Sequence, residues 1–600
     1  VTTAREAFDL YRAGRLAEAA ALCERLVVSA PSVEAWHLLG VSRLGLGQAE
    51  AALTALDAGL ALDSERPGLL SAKALVLNSL GRDIEAVATG RAALAVDPDN
   101  PPVLGALAVS LQRLGGFEAA LAALDRAVQV SPGDAGTLAS RAALRLLLNR
   151  PAEAARDLEA VMELDPLHPR LAGDLMWARR QTCDWSEDAA LDMLVKADLK
   201  LGRPGVAPFA ALAIFDIPVL HRRCAELAAP PVAPAPVWPA RPDGARIRVA
   251  YLSSDLHEHA TARLLAGVLE AHDRNRFEIF AVSYGPEAGG PMRERLRAAC
   301  EHWIEARSLS DAEIALKCRE QGVDIAVDLK GYTQDGRPGI LAHRAAPVQV
   351  SWLGYPGTLG RHADIVLADA VTLPPGEEGA WSEAVVRLPH YQPNDALGDA
   401  LGPVLPPPGR AEAGLPDGAF VYGCFNNPAK ITPEVFAAWM KILKAALDSV
   451  LWLYAGAPGA AENLRAHAAG AGVAPERLVF AQPAPHDQHL ARHALADLML
   501  DTWPYGAHTT ASDALRMGVP LLSLPGKSFA SRVGASLLTA LGLPELIAGS
   551  ETDYIAKALD RSALNGLKAK LGKALETSDV FRPAAFARSL EAAFAAMLRR

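Results

Sequence analysis

The chain has 600 residues, half of them apolar and 21% charged, with a formal net charge of −10. That length exceeds what one hydrophobic core organises, so roughly two to four domains are expected. The acidic balance argues against a protein that binds nucleic acid by neutralising phosphates. The six cysteines lie far apart with no C-x-x-C pair, a pattern of reduced thiols rather than of a disulfide framework or a zinc site. No apolar run reaches the roughly 18 residues of a membrane helix, and the opening residues lack a secretory pattern. A cytoplasmic location is the expectation.

The first third repeats itself. Gly47, Gly81, Gly115 and Asn149 recur at a step of 34, each followed five residues later by Ala52, Ala86, Ala120 and Ala154. Pro98, Pro132 and Pro166 keep the same step, and Gly14 opens an earlier unit. The pattern resembles tetratricopeptide repeats, about five of them, and predicts an α-solenoid over residues 1–172. Gly or Asn lets the first helix of each pair end in a left-handed turn, the alanine lets two helices approach, and the proline stops the second. Such pairs bury their apolar faces only by stacking, and the stack offers a concave surface to a protein partner; a plain spacer is the alternative. The positions in step with Asn78 are Leu44, Gln112 and Leu146, so the asparagine ladder that some relatives use on peptide backbones is missing.

From 173 to 244 the helical pattern continues without the period and ends in a Pro/Ala-rich linker, APPVAPAPVWPARPDG, which is semi-rigid and extended. Strand-like and helix-like runs then alternate twice over. RIRVAYLSSD, FEIFAVSY, VDIAVDL, VQVSWLGY and ADIVLAD form one series; AFVYGCFNN, SVLWLYAG, RLVFAQP, LADLMLDT and VPLLSLPG form another. The alternation predicts parallel sheets with helices on both faces. Two Rossmann-like halves follow: 245–395 and, after an inter-lobe linker at 396–414, 415–600. The apolar stripe Phe586, Leu590, Phe594 and Leu598 predicts a closing helix, assigned here to the C-terminal half.

The stretch DTWPYGAHTTASDAL, Asp501–Leu515, carries the first chemical hint. A strand ending near Leu500 delivers Thr509 and Thr510 to the mouth of a helix. Ligands of open α/β sheets sit beyond the carboxyl ends of the strands, and the amides of a helix N-terminus attract an anion. Simple capping by one threonine is the alternative reading, and it leaves His508 without a role.

Taken with YLSSDLHEH, DLKGYT, SWLGYPGTLG, CFNNPAKITP and AQPAPHDQH, the stretch resembles the catalytic region of the O-linked N-acetylglucosamine transferase/SPINDLY family; YQPND and TCDWSEDA resemble its bacterial members. The resemblance implies a GT-B glycosyltransferase fold behind the repeats and assigns roles to residues. Lys430 contacts the donor diphosphate and stabilises it as it leaves, His508, Thr509 and Thr510 hold the same group, and Asp513 hydrogen-bonds the ribose. His489 packs on the nucleoside, Ala484 reads the base through its backbone, Arg492 lies nearby, and Asn427 belongs to the donor site. His259 sits by donor and acceptor as a candidate base.

Glycosyl transfer passes through an oxocarbenium-like state while charge builds on the departing phosphate. The α/β halves contain no D-x-D pair, so fixed cations and backbone dipoles are expected to neutralise that charge, with no metal or other cofactor. The implied reaction is inverting transfer of a sugar to Ser or Thr of a protein acceptor recruited by the repeats. Asn427 and His486 stand where the best-known members carry Gln and Lys; AHTTASDAL is closer to the N-acetylglucosamine branch and FNNPAKITP to the SPINDLY branch, so UDP-N-acetylglucosamine is the first expectation for the donor and GDP-fucose the second. Flagellin, with another nucleotide sugar, is a further acceptor to consider. A repeat scaffold with a degenerate, non-catalytic transferase region is the competing class.

Overall fold

The structure is a computed structural model that describes residues 4–239, 241–242, 244–395, 405–454 and 456–599. Residues 396–404 of the linker expected at 396–414 therefore lie outside the described residues. The chain forms two compact units, Val1–Leu171 and Ala172–Arg600.

The first unit consists of five helix pairs: Ala4–Arg12 with Leu16–Ser29, Val33–Gly45 with Ala49–Leu60, Pro67–Ser79 with Asp83–Val96, Pro101–Arg113 with Phe117–Val130, and Ala135–Leu147 with Pro151–Leu164. Each repeated Gly sits at φ between +70° and +81°, and Asn149 at +56°. A Cβ built on Gly14, Gly47 or Gly81 would meet no atom within 4 Å. The backbone conformation, not space, is what demands glycine there. Ala52, Ala86, Ala120 and Ala154 are buried where paired helices touch. Asn78 donates to Ala106 O at 3.0 Å and Ser110 Oγ at 2.8 Å, so its amide links one repeat to the next.

The second unit opens with the helices Leu171–Gln181, Asp188–Lys200, Pro208–Ile214 and Pro218–Ala228. Two wholly parallel sheets follow. The first has seven strands: β1 Ile247–Ser253, β2 Phe277–Ser283, β3 His302–Glu305, β4 Ile325–Asp328, β5 Val348–Ser351, β6 Ile365–Ala368 and β7 Ala384–Arg387, in the order β3-β2-β1-β4-β5-β6-β7. The second has five: β8 Phe420–Cys424, β9 Ser449–Tyr454, β10 Leu478–Ala481, β11 Leu498–Leu500 and β12 Leu521–Leu522, in the order β10-β9-β8-β11-β12. Their central strands are buried from end to end, as expected of strands covered by helices on both faces. Each half is thus an open doubly wound α/β layer, the GT-B arrangement the sequence predicts.

Strand order reverses once in each sheet, between β1 and β4 and between β8 and β11. At such a switch point the connections leave in opposite directions and open a crevice above the strand ends. The two crevices position everything described below.

Two segments cross between the halves. The closing helix, Pro583–Met597, was assigned by sequence to residues 415–600, yet Phe586, Leu590 and Phe594 are buried in the core of the N-terminal half. Phe586 stacks on Trp352 with ring centres 5.7 Å apart. Glu591 accepts from the Asp273 amide at 2.8 Å and contacts His272 Nδ1 at 2.9 Å, and His272 Nε2 meets the Tyr251 hydroxyl at 2.8 Å. Period alone told that this helix has an apolar face, and not which half would cover it. The helical extension reaches the other way: Cys183 is buried in the C-terminal core, the Trp185 ring stacks on His467 at 4.3 Å, and Asn463 donates to Thr182 O at 2.9 Å.

Candidate active site

In the C-terminal half the loops after β8 and β11 face each other across the switch point. After β8 the chain runs through Asn426 and Asn427 into a 3-10 turn, Pro428–Lys430, and then the helix Pro433–Ala445. Lys430 Nζ donates to Gly506 O at 2.9 Å and sits 3.7 Å above the Tyr505 ring centre. Both partners belong to the loop after β11, so the ammonium is lodged against the neighbouring switch-point loop. Burial pushes Lys430 down to about 8, partly opposed by the charge of Asp501. Asp501 itself shapes that loop, accepting from the amides of Thr502 at 2.8 Å and Ala507 at 2.6 Å and from Ser523 Oγ at 2.7 Å.

The helix Thr509–Arg516 begins at His508, and no side chain caps it. Its first amides are therefore not claimed by a capping oxygen, and the capping alternative does not hold for either threonine. His508 Nε2 donates to Ala530 O at 3.0 Å, which fixes the tautomer and ties the loop to the following helix. Burial first, then Lys430, lowers His508 to about 3, so the ring is neutral beside the lysine. Thr510 Oγ1 donates to Asn426 Oδ1 at 2.5 Å, and Asn426 Nδ2 donates to Thr502 Oγ1 at 2.8 Å. Thr509 occupies the first helical position and is half-buried.

Asp513, one turn into the helix, is 7% exposed. Its carboxylate accepts no hydrogen bond among the described residues, and burial raises it to about 7 against the opposing pull of Arg516 and Arg263. A carboxylate kept this dry without donors is matched by a ligand that brings hydroxyl donors.

A third group lies on the helix His486–Arg492 after β10. Arg492 Nη2 donates to His489 Nδ1 at 2.5 Å and Nη1 to Gln482 O at 2.6 Å, while its guanidinium lies 4.9 Å from the Phe425 ring centre. The His489 ring is 5.3 Å from Phe425, and burial together with His493 and Arg492 lowers it to about 2. The result is a neutral aromatic shelf backed by a cation. Ala484 is exposed in the loop just before this helix. Asn427 is exposed too, and its Oδ1 accepts from the Ala429 amide at 2.9 Å. It caps the 3-10 turn, whereas the unpredicted Asn426 is the one that reaches Thr510.

His259 belongs to the other half, at the N-cap of the helix Ala260–Glu270, where Nδ1 lies 3.2 Å from the Thr261 amide nitrogen. That helix packs against the helix Thr509–Arg516, so the two switch points adjoin. The YQPND segment braces the junction: Gln392 Nε2 donates to His508 O at 3.4 Å, and Ser512 Oγ hydrogen-bonds Asn394. Sequence reasoning quoted the motifs that contain Asn426, Asn394, Asp255 and Lys330 without assigning these residues. Asking which residues follow the strands flanking a switch point would have found Asn426, Asp255 and Lys330. Among the described residues no cluster of three or more His, Cys, Asp or Glu could hold a metal ion, and no helix is long and apolar enough to cross a membrane.

Comparison with known proteins agrees with this architecture. The sequence profile of tetratricopeptide repeats matches residues 37–101. A solved O-GlcNAc transferase mutant from Thermobaculum terrenum superposes with a TM-score of 0.65 at 31% identity, covering 89% of this chain and 98% of its own. An Arabidopsis thaliana protein named "Probable UDP-N-acetylglucosamine--peptide N-acetylglucosaminyltransferase SEC" is 31% identical over 69% of this chain and 45% of its own length. The like-named SPINDLY protein of Oryza sativa subsp. japonica is 33% identical over 59% of this chain and 39% of its own. The chain thus spans less than half the length of these curated relatives. The profile of glycosyl transferase family 41 matches residues 232–399 and 392–590, more than half of the sequence, and the chain belongs to that family.

Proposed function

We propose that the protein transfers a sugar from a nucleoside-diphosphate donor to a serine or threonine hydroxyl of a protein, with inversion and without a metal ion, and that the repeats recruit the acceptor. The observation that carries this reading is the crevice between β8 and β11, where Lys430 is lodged against the Tyr505–Gly506 loop that leads into the uncapped N-terminus of the helix Thr509–Arg516. A lysine held against the loop that opens a helix, together with that helix's free amides, would form an anion site suited to a diphosphate. Asp513 lies one turn further along the same helix, where a ribose diol would supply the donors its carboxylate lacks. The shelf of Phe425, His489 and Arg492 offers a flat surface to a base.

In this reading the acceptor hydroxyl attacks the anomeric carbon as the bond to the diphosphate breaks. The electron pair of that bond goes to the phosphate oxygen, and Lys430 with the helix amides takes up the growing charge. We assign the hydroxyl proton to Nε2 of neutral His259, which adjoins the crevice from the other half and would then carry its other ring proton on Nδ1, toward Asp255. UDP-N-acetylglucosamine is the donor we favour, on the likeness to the Thermobaculum O-GlcNAc transferase. GDP-fucose is the second, on the FNNPAK wording around Asn427. YQPND acts as an internal brace here, so it carries no information on flagellin as an acceptor.

Calorimetry of the full chain against UDP-N-acetylglucosamine and GDP-fucose, with Lys430→Ala alongside, tests the reading. One donor should bind, and binding should weaken at least tenfold in the variant. If folded protein binds neither, the non-catalytic scaffold replaces this proposal.

A further inference from the structure

The N-terminal switch point carries a charge arrangement that the reaction outlined above does not use. Lys330, just beyond β4, places Nζ 2.8 Å from both carboxylate oxygens of Asp255, just beyond β1. Both residues are buried. The same carboxylate has Oδ2 3.2 Å from His259 Nδ1. One acid thus lies between a lysine and the imidazole that adjoins the donor crevice.

Holding the fold together does not require this pair. β1 and β4 are already joined in register from Val249 opposite Ile325 to Leu252 opposite Asp328, and the Leu329 amide extends the ladder to Leu252 O at 3.1 Å. The Lys330–Gly331 turn is held by Asp328, whose carboxylate accepts from the amides of Lys330 at 2.9 Å and Gly331 at 3.0 Å. The Lys330 ammonium donates no hydrogen bond to either, although its charge also favours the Asp328 carboxylate. Its one ionic partner among the described residues is Asp255, and a buried ion pair by itself is a weak source of stability.

The consequence falls on His259. Its Nδ1 is 3.2 Å from the Thr261 amide nitrogen and 3.2 Å from Asp255. The neutral ring can keep its proton on Nε2 and accept from Thr261, or keep it on Nδ1 and donate to Asp255. An unbalanced Asp255 would favour the second form and draw a second proton onto the ring, turning a neutral imidazole into a cation. The second form is the one that leaves Nε2 free to take the hydroxyl proton, and Lys330 limits the pull of Asp255 so that the ring adopts it without gaining a second proton. We infer that Lys330 and Asp255 are positioning residues that keep His259 neutral and oriented at the cleft for the transfer reaction, an inference that rests on the function proposed above.

The electrostatics have the required sign. Burial lowers His259, Asp255 pulls it up, and Lys330, His257 and Arg263 push it down. From the other half, the helix packed against it brings Asp513, which interacts with Arg516 and Arg263, and Arg516, which interacts also with Asp395. Removing Lys330 alone deletes an opposing charge and leaves Asp255 in place, so His259 must then protonate at higher pH. Removing both charges together should nearly restore the original balance.

The test is an NMR titration of histidine-labelled full-length protein, with the His259 signal assigned by its loss in His259→Asn. In Lys330→Met the His259 midpoint should move to higher pH, making the ring roughly threefold or more protonated at a fixed pH above the midpoint. The acid limb of kcat/KM should move the same way. Lys330→Arg, which keeps the charge, should leave both where they were, and the double variant Asp255→Asn/Lys330→Met should return the midpoint to that of the parent. An unmoved midpoint in folded Lys330→Met, or a double variant displaced as far as the single one, overturns the inference. Should Lys330→Met fail to fold, the double variant and Lys330→Arg decide, and a displaced midpoint in either overturns it. Because the titration needs no substrate, it judges the charge balance even if no sugar donor is turned over, an outcome that would instead defeat the proposed function.

Discussion

The two α/β halves share a topology and use it differently. Beyond β8 and β11, the C-terminal half sets Lys430 and Asp513 apart from each other, each without an ion pair among the described residues. Beyond β1 and β4, the N-terminal half sets Lys330 and Asp255 against each other at 2.8 Å. A crevice whose cation has no ion pair and whose helix is uncapped suits a charged ligand; a crevice whose charges pair directly suits orienting what adjoins it. The fold supplies the crevice twice, and side-chain choice at four positions gives the two crevices opposite charge patterns.

The largest effect expected concerns how the N-terminal half is completed. Phe594 is fully buried in its core although it lies beyond the C-terminal half in the chain. Phe594→Ala should cost about 3–5 kcal/mol in urea unfolding, and the loss should be seen first by probes in the N-terminal half. A loss confined to the C-terminal half would break the comparison at its structural base.

Next comes the uncancelled lysine. Lys430→Ala should lower turnover by about 10²–10³, the range for removing one preorganised donor from a developing anion, with little change in unfolding midpoint. Equal losses from Lys430→Ala and Lys330→Met in donor affinity would erase the distinction between the halves. Asp513→Asn should weaken donor binding about tenfold, or roughly 1.4 kcal/mol, without changing the affinity for inorganic pyrophosphate, which has no ribose.

The smallest effect expected is the dependence of donor affinity on pH. Asp513, raised to about 7, accepts hydroxyl hydrogens best once deprotonated, so affinity should climb as pH rises through 7. Lys430, lowered to about 8, loses its charge above that, so affinity should fall as pH rises further. The optimum should lie between, a few-fold above the values at pH 6 and pH 9. In Asp513→Asn the acid side should flatten and the alkaline side should persist.

Much of this was legible in the residues because local rules enforce it. The 34-residue step of Gly47, Gly81 and Gly115 reports a positive φ that other residues resist, and the buried central strands announce themselves as short apolar runs between turns. Lys430 and His508–Asp513 could be named from motif wording, and the loops after β8 and β11 bring Lys430 and Thr510 into one crevice. What stayed hidden depends on pairing between distant segments. An apolar stripe tells that Phe586, Leu590 and Phe594 are covered, but not by which sheet. A lone Asp255 and a lone Lys330 look like surface charges until β1 and β4 are known to be neighbours. Asn426 and Asn427 are adjacent and identical in type, and only backbone geometry turns one toward Thr510 and the other into a cap.

The crossing of the closing helix also bears on the order in which the protein can mature during synthesis. The ribosome emits β1–β7 well before residues 583–597, and at about 5–20 residues per second the intervening stretch takes about 10–40 s. Throughout that interval Trp352 and its neighbours in the first sheet lack the side chains that cover them in the finished molecule. The nascent N-terminal half therefore waits with an open apolar groove, and the chain seals it only after the C-terminal half has emerged.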